Sequence, residues 1–332
     1  IGAYQSPNSR YHNWYKFNRY PYRYECWWGI DDRPNVNVMH NTYIDYVADR
    51  EDAIIKKWID LGASGWRLNV TDELPDEFIQ IVRDRLKTIE KDTVLVGDVW
   101  DDASNKISYS KRRKYLYGDE IQSVTNYPLR ESLINFTKGY IKSDKFRKKV
   151  MSLYENYPRE VFYGNMNIIG TSDTERILTV LDGNVQWLKI IVALQFTLPG
   201  VPLIYYGDET GVTGGKDPDN RKSYPWGHEN YELIDFYRKV SEIRNSQDGL
   251  KKGDFNIFNT DEDIFAFERV YENEKIVVIV NVSNVQKIVK GINFEGTYID
   301  LFNEGEKYKF VGYDSVLIIY PRSFKILRKV NK

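Results

Sequence analysis

The stretch that decides the fold is Gly62-Ala-Ser-Gly-Trp-Arg-Leu-Asn-Val-Thr-Asp-Glu, residues 62–73. Before it, over 49–61, apolar residues recur at helical spacing, and the pattern stops at Gly62. Residues 65–70 are then a short run typical of a strand, and polar residues follow where that strand ends. A helix, a strand and a polar strand end are together the repeating unit of parallel β/α proteins.

The same alternation continues to about residue 245. Predicted strands cover 93–100, 121–127, 167–173 and 201–207, and predicted helices cover 77–89, 129–140, 185–198 and 231–245. The apolar strands favour a parallel sheet that is covered by helices.

The two ends of the chain have a different texture. Residues 1–40 are rich in Tyr, Trp, Asn and Pro and show no periodicity, so we expect an irregular, aromatic-lined excursion. After residue 246, short β-rich runs alternate with Asn, Asp and Gly clusters, which is typical of a compact antiparallel sandwich or barrel. The predicted segments are therefore 1–40, 41–245 and 246–332.

Composition narrows the possible partners. The 47 basic and 48 acidic residues give a net charge of -1, which favours neither nucleic acid nor an anionic membrane as a partner. No apolar run reaches the roughly 18 residues of a membrane span. The single Cys26 excludes an internal disulfide. No basic and apolar leader is visible at the start, so we expect a bacterial cytoplasmic location.

Four segments, in order, resemble motifs of the alpha-amylase family, most closely its neopullulanase and cyclomaltodextrinase branch. Residues 62–73 resemble the strand that carries the nucleophile, and Val96-Gly-Asp-Val-Trp resembles the strand that carries the general acid. Residues 170–176 resemble the region of the transition-state-stabilising Asp. Residues 199–209, continued by 214–221, resemble the last barrel strand and its sugar-contacting loop. The resemblance covers essentially the whole chain.

This resemblance implies a partial TIM barrel, strands four to eight, followed by an antiparallel all-β C-terminal sandwich domain. Residues 1–40 would then be the remnant of the excursion after barrel strand three. Because a barrel needs all eight strands to close, three arrangements stay open. The front could belong to a separate N-terminal chain, chains could associate as a homo-oligomer, or the strands could form another layout.

The resemblance also implies two altered catalytic positions. Retaining glycosidases use two carboxyl groups about 5–5.5 Å apart, one as nucleophile and one as acid and base. The nucleophile position holds Asn69, whose neutral amide forms no ordinary glycosyl ester. The acid/base position holds Asp98, one methylene shorter than the usual Glu, which withdraws the acid by roughly 1 Å. Asp173 keeps the carboxylate of the transition-state stabiliser.

Further residues are assigned to substrate binding by the same resemblance. Arg67 would orient the nucleophile, Glu73 would lie near the leaving-group subsites, and Ser172 replaces the family's His. The remaining assigned positions are Trp100, Asp217 and Arg221. The three histidines are too scattered for zinc, and the first motif, which supplies calcium ligands in the family, is missing. We therefore expect no metal and no cofactor.

The predicted function is that of a glycoside hydrolase homologue that acts on or binds α-1,4/α-1,6-glucans, with hydrolysis impaired or lost. Two alternatives remain open. The chain could be an active retaining hydrolase that uses altered residues, including takeover by Asp72 or Glu73, or a missing N-terminal partner. It could also be a non-catalytic structural remnant that binds no sugar.

Overall fold

The computed structural model describes residues 1–303 and 305–330, which divide into two compact units. The first consists of residues 1–99 with 103–122, and the second of residues 100–102 with the residues from 123 onward. Each unit is described by itself. No helix among the described residues is both long enough and apolar enough to cross a membrane.

The first unit begins with short elements and little burial. The hairpin strands β1 and β2 and the helices α1 and α2 cover Phe17–Arg19, Arg23–Tyr24, Asn41–Ile44 and Ile54–Asp60. Asp45–Asp49 is a π-helical turn, after which the backbone of Arg50 is extended. The predicted helix over 49–61 therefore begins later than expected, because Arg50 and Ala53 have non-helical backbone angles.

Strands β3 (Gly65–Leu68) and β4 (Val94–Gly97) are parallel neighbours joined through helix α3 (Asp76–Ile89). Helix α3 buries Phe78, Ile79, Val82 and Leu86, which recur at helical spacing. A Cβ on Gly65 would lie 2.1 Å from the carbonyl oxygen of Val94, so only glycine allows the strands to approach this closely. The first motif thus folds as the predicted β/α unit.

The first unit ends in a small hairpin of strands β5 (Ile107–Ser108) and β6 (Lys111–Arg112). Its two connecting residues, Tyr109 and Ser110, have φ angles of 50° and 62°. Positive φ at both positions defines the type I′ turn, which matches the twist of the two strands.

A buried carboxyl group lies close to this hairpin. Glu120 is 1% exposed, and burial raises its pKa to about 7, with Asp76 adding to the rise and Arg113 opposing it. The folded state therefore holds a proton that the unfolded chain releases near pH 4.5.

We expect stability to fall as the pH rises from about 4.5 to 7, because the folded-state pKa of Glu120 is raised. The stabilisation is complete at pH values below the pKa that Glu120 has in the unfolded chain, and it is lost as the pH rises through its pKa in the folded state. The total loss of stability is roughly 3 kcal/mol. Urea denaturation of wild type and Glu120→Gln across this pH range measures the effect. The neutral amide should flatten the profile, and an unchanged slope in the variant would contradict the assignment.

The second unit continues with parallel strands and helices. Strands β7, β8 and β9 cover Ser123–Val124, Met166–Ile168 and Val201–Leu203. Strands β8 and β9 are parallel, and Thr125 forms a parallel bridge to Met166. Helices α4 to α10 cover Tyr127–Thr137, Ser143–Asn156, Arg159–Gly164, Ile177–Val180, Val185–Thr197, Tyr231–Ser246 and Asp248–Lys252.

Helix α8 is apolar around most of its circumference and buries nine of its 13 residues. Such a helix suits the centre of a layered domain rather than its surface. The helices predicted over 77–89, 185–198 and 231–245 are confirmed with ends that differ by one residue. The predicted strands are confirmed in place but are shorter than expected.

An antiparallel domain follows. Strands β10 to β17 cover Asp254–Ile257, Ile264–Tyr271, Glu274–Asn281, Lys287–Val289, Phe294–Asp300, Lys307–Gly312, Leu317–Ile319 and Ser323–Lys329. Six of them form one sheet in the order β10-β11-β12-β17-β14-β15, and β13 pairs with β16. Side chains of both sheets share one core, including Val277, Phe294 and Ile319. The predicted C-terminal antiparallel sandwich is therefore present.

Candidate functional site

One group of predicted site residues lies in the first unit, at the end of strand β3, where the chain turns sharply. Asn69 follows the strand, and Val70 has a left-handed φ of 46°, which is rare for a β-branched residue. Thr71 fastens the turn, because its hydroxyl donates to the carbonyl of Leu68 at 2.9 Å and its amide donates to the carbonyl of Asp98 at 3.1 Å. Backbone strain of this kind persists where the surroundings enforce it, often at functional sites.

Arg67 connects the two residues that the sequence predicts as altered catalytic positions. Its Nη2 atom lies 2.9 Å from Oδ1 of Asp98, and its Nη1 atom donates a longer bond, 3.4 Å, to Oδ1 of Asn69. Because Asn69 carries no charge, Asp98 is the ionic partner of the guanidinium. One arginine thus contacts both the predicted nucleophile position and the predicted acid/base position.

Asp98 is enclosed by these contacts. The residue is 1% exposed, and its Oδ2 atom accepts a hydrogen bond from the amide of Val70 at 3.4 Å. Both carboxylate oxygens therefore face protein donors. A general acid must instead bring an oxygen within hydrogen-bond reach of the leaving group.

The carboxylates that follow on the same loop are also engaged. Asp72 lies 3.1 Å from Nζ of Lys106 and accepts a 2.7 Å hydrogen bond from the hydroxyl of Tyr115. Glu73 accepts a hydrogen bond from the hydroxyl of Tyr109. The loop after β3 is thus held by side chains from the segment that follows β4.

Another group of predicted site residues lies in the second unit, on the loops after β8 and β9. Asp173 accepts a 3.4 Å hydrogen bond from Nη2 of Arg221, whose Nε lies 3.1 Å from Oδ1 of Asp217. All three side chains are partly exposed. Asp173, predicted as the transition-state stabiliser, thus forms one connected cluster with Asp217 and Arg221, which were predicted as substrate-binding residues.

Buried residues that the sequence analysis missed position this cluster. Asn220 is fully buried and donates from Nδ2 to the carbonyls of Ser172 and Thr174, at 2.8 Å each. Arg176 donates from Nε to the carbonyl of Asn220 at 2.7 Å and forms a buried ion pair with Asp208 at 3.2 Å. The only signal was that these residues lie inside the quoted motifs. Their contacts fix the backbone on either side of Asp173.

Trp100 is the remaining predicted contact and also belongs to the second unit. Its indole stacks on the ring of Tyr127, with centroids 4.5 Å apart and planes inclined by 13°. The indole is nevertheless 47% exposed, which leaves surface for a ligand. Ser172 enters the site through its backbone carbonyl, as the acceptor of the bond from Asn220.

The predicted site residues thus fall into two groups. The structure brings Arg67, Asn69 and Asp98 into contact in the first unit, which also contains Glu73. It places Trp100, Ser172, Asp173, Asp217 and Arg221 in the second unit. Within residues 1–303 and 305–330, no three His, Cys, Asp or Glu side chains are grouped as metal ligands would be.

Parallel strands with carboxylates at their ends, followed by an antiparallel sheet domain, are typical of glycoside hydrolases that are built on a TIM-barrel-like domain. A model described as the alpha-amylase catalytic domain matches residues 8–254, which is well over half of the chain. The chain belongs to the alpha-amylase family.

Individual relatives agree with this family. An amylopullulanase of Thermoanaerobacterium thermosulfurigenes is 33% identical over 93% of the chain and 19% of its own length. A cyclomaltodextrinase of Thermoanaerobacter pseudethanolicus is 32% identical over 85% of the chain and 49% of its own length. The neopullulanase 2 of Thermoactinomyces vulgaris is 31% identical over 78% of the chain and 46% of its own length. The chain spans about half the length of these relatives or less.

Solved structures show the same architecture. A cyclic α-maltosyl-(1→6)-maltose hydrolase from Arthrobacter globiformis, in complex with that cyclic sugar, superposes with a TM-score of 0.83 and 26% identity, over 98% of this chain and 70% of that chain. A Thermus thermophilus protein, Ttha1563, superposes with a TM-score of 0.84 and 25% identity, over 99% of this chain and 74% of that chain. The chain therefore has the alpha-amylase fold, a TIM-barrel-like domain with a C-terminal antiparallel sheet domain.

Proposed function

We propose that the chain binds α-1,4/α-1,6-glucans through an amylase-type site whose hydrolysis is lost or strongly reduced. The observation that carries the proposal is the contact of Arg67 with both altered positions. A neutral amide occupies the nucleophile position, and the remaining carboxylate, Asp98, is buried against Arg67. Neither of the two roles of a retaining glycosidase is then filled by a suitably placed group.

The second candidate, an active hydrolase that uses replacement residues, finds little support on this loop. Asp72 is held by Lys106 and Tyr115, and Glu73 is held by Tyr109. Either carboxylate would have to leave these partners to attack a sugar.

For the same chain we propose that β3, β4, β7, β8 and β9 are barrel strands four to eight, with strands one to three supplied by further polypeptide.

Sugar binding is supported by the groups that remain. Asp173, Arg221 and Asp217 form a connected, partly exposed cluster, and Trp100 presents an exposed ring face. The similar hydrolase from Arthrobacter globiformis is described in complex with maltose and in complex with the cyclic maltosyl-maltose. These features favour binding of α-glucan over the third candidate, a structural remnant without a ligand.

The test is to measure turnover and binding in parallel on the full-length protein. Incubation with cyclodextrin, pullulan and maltooligosaccharides should release few reducing ends, while calorimetry with maltoheptaose should show specific binding. Turnover at the rate of an active family member, abolished by Asp98→Ala, would overturn the proposed loss of hydrolysis. Absence of any glucan binding would overturn the binding role.

We expect Asp173→Ala to weaken maltoheptaose binding by about tenfold or more, because it removes a charged hydrogen-bond acceptor and leaves Arg221 with only Asp217. Isothermal calorimetry measures the change. Asp235→Ala is the matched control, since Asp235 also pairs with an arginine, Arg238, but on the exposed face of α9. Equal affinities of the two variants would contradict a ligand role for Asp173.

A further inference from the structure

An exposed tyrosine stands at the tip of the β5–β6 hairpin and contacts a carboxylate of the β3 loop. Tyr109 is 73% exposed, and its hydroxyl donates to Oε2 of Glu73. The hydrogen bond fixes the end of the side chain while most of the ring stays in solvent. A fixed, exposed aromatic ring is the kind of surface on which the apolar face of a pyranose stacks.

The backbone under this ring is strained. Both turn residues have positive φ, 50° at Tyr109 and 62° at Ser110. Type I′ turns favour Asn, Asp and Gly at these positions, and a bulky aromatic residue is disfavoured there. Asn or Gly would form the same turn more easily, so the turn itself does not explain the tyrosine. An observed outlier of this kind points to a role for the side chain.

The hairpin is anchored to the loop that follows β3. The hydroxyl of Ser108 donates to the carbonyl of Asp72 at 3.3 Å, and Nη2 of Arg113 donates to the carbonyl of Leu74 at 2.6 Å. Arg113 is itself fixed by Asp76, whose Oδ1 lies 2.8 Å from its Nε. These contacts therefore fix the position of Tyr109 relative to strand β3, which Asn69 follows.

We propose that Tyr109 is a stacking platform for one glucose ring of the bound α-glucan, with Glu73 as its positioning partner. The ring binds the apolar C–H face of the sugar, and Oε1 of Glu73 accepts a hydrogen bond from a sugar hydroxyl. The inference rests on the proposed glucan binding and adds a specificity-determining contact that belongs to the segment after β4.

The test uses calorimetry of the full-length protein with maltoheptaose. Tyr109→Gly removes the ring and suits the left-handed turn, so binding should weaken by about fivefold to tenfold while the melting temperature is kept or raised. Tyr109→Phe and Tyr109→Trp keep a ring and should bind within about threefold of wild type. Tyr117→Ala is the matched control, because Tyr117 is an equally exposed tyrosine of the same segment.

Each other outcome decides against the platform. Wild-type affinity in Tyr109→Gly would overturn it and leave the proposed glucan binding intact. An equal loss of maltoheptaose affinity in the Phe and Gly variants would assign the effect to the hydroxyl that holds Glu73. That result would also overturn the proposal that a sugar stacks on the ring. If wild type binds no maltoheptaose, the proposed function and this inference fall together.

Discussion

Restoring the two side chains that the family carries, Asn69→Asp together with Asp98→Glu, is expected to raise hydrolysis of pullulan and cyclodextrin at least about a thousandfold. The first change returns an anionic nucleophile beside Arg67, which already contacts that position. The second returns the methylene that moves the acid outward by roughly 1 Å, a displacement that alone is worth about a hundredfold. The rate of release of reducing ends measures the gain.

The single variants should gain far less than the double variant. Residues that act as one catalytic unit give grossly non-additive effects, because each step needs both partners. Asn69→Gln with Asp98→Glu is the matched control, since it restores the acid but not the nucleophile. If the double variant and wild type hydrolyse pullulan at similar rates, altered residues already catalyse the reaction and the proposed loss is wrong.

The largest stability effect is expected from Arg244, which lies almost wholly buried on α9. Its guanidinium donates to the carbonyls of Phe196, Leu198 and Gly200 at the end of α8. Phe196 lies in the last turn of α8, and Leu198 and Gly200 follow its end. Carbonyls of a last helical turn lack donors within the helix, and a cation is favourable at a helix C-terminus. Burial lowers the pKa of Arg244 to about 10, which still leaves it charged at neutral pH.

Arg244→Met should lower the free energy of unfolding by about 3–5 kcal/mol, because several buried carbonyls lose their donor at once. The urea midpoint followed by circular dichroism measures the loss. Arg238→Met on the same helix is the control, since Arg238 pairs only with exposed Asp235 and should change stability by less than about 1 kcal/mol. Similar losses in both variants would show that the capping contacts contribute little.

The parts of the fold that could be predicted from the sequence are those with a local signal. The apolar spacing of Phe78, Ile79, Val82 and Leu86 indicates α3. Of the glycines in residues 62–65, Gly62 marks the turn before β3, and Gly65 allows the close contact between β3 and β4. In the C-terminal region the sequence pattern indicates short β-rich runs, and the structure defines them as strands such as β15 (Lys307–Gly312) and β17 (Ser323–Lys329).

The partners within the candidate site could not be predicted, because they join residues far apart in sequence. The sequence does not show which acidic residue pairs with Arg67, and only the 2.9 Å contact identifies Asp98 as its ionic partner. Tyr109 is 36 positions from Glu73 and lies in a polar stretch without periodicity. Residue types and motif order thus indicate the chemistry, whereas the geometry decides which charges are neutralised.

The contact of Arg67 with both Asn69 and Asp98 has a consequence for how mutations combine. Since one guanidinium serves Asn69 and Asp98, the effect of a mutation at either position depends on the residue at the other. Under the proposed loss of hydrolysis, a change at one position alone therefore brings little turnover, and only the two changes together reveal the coupling. The two positions are best treated as one energetic unit joined by a single ion pair.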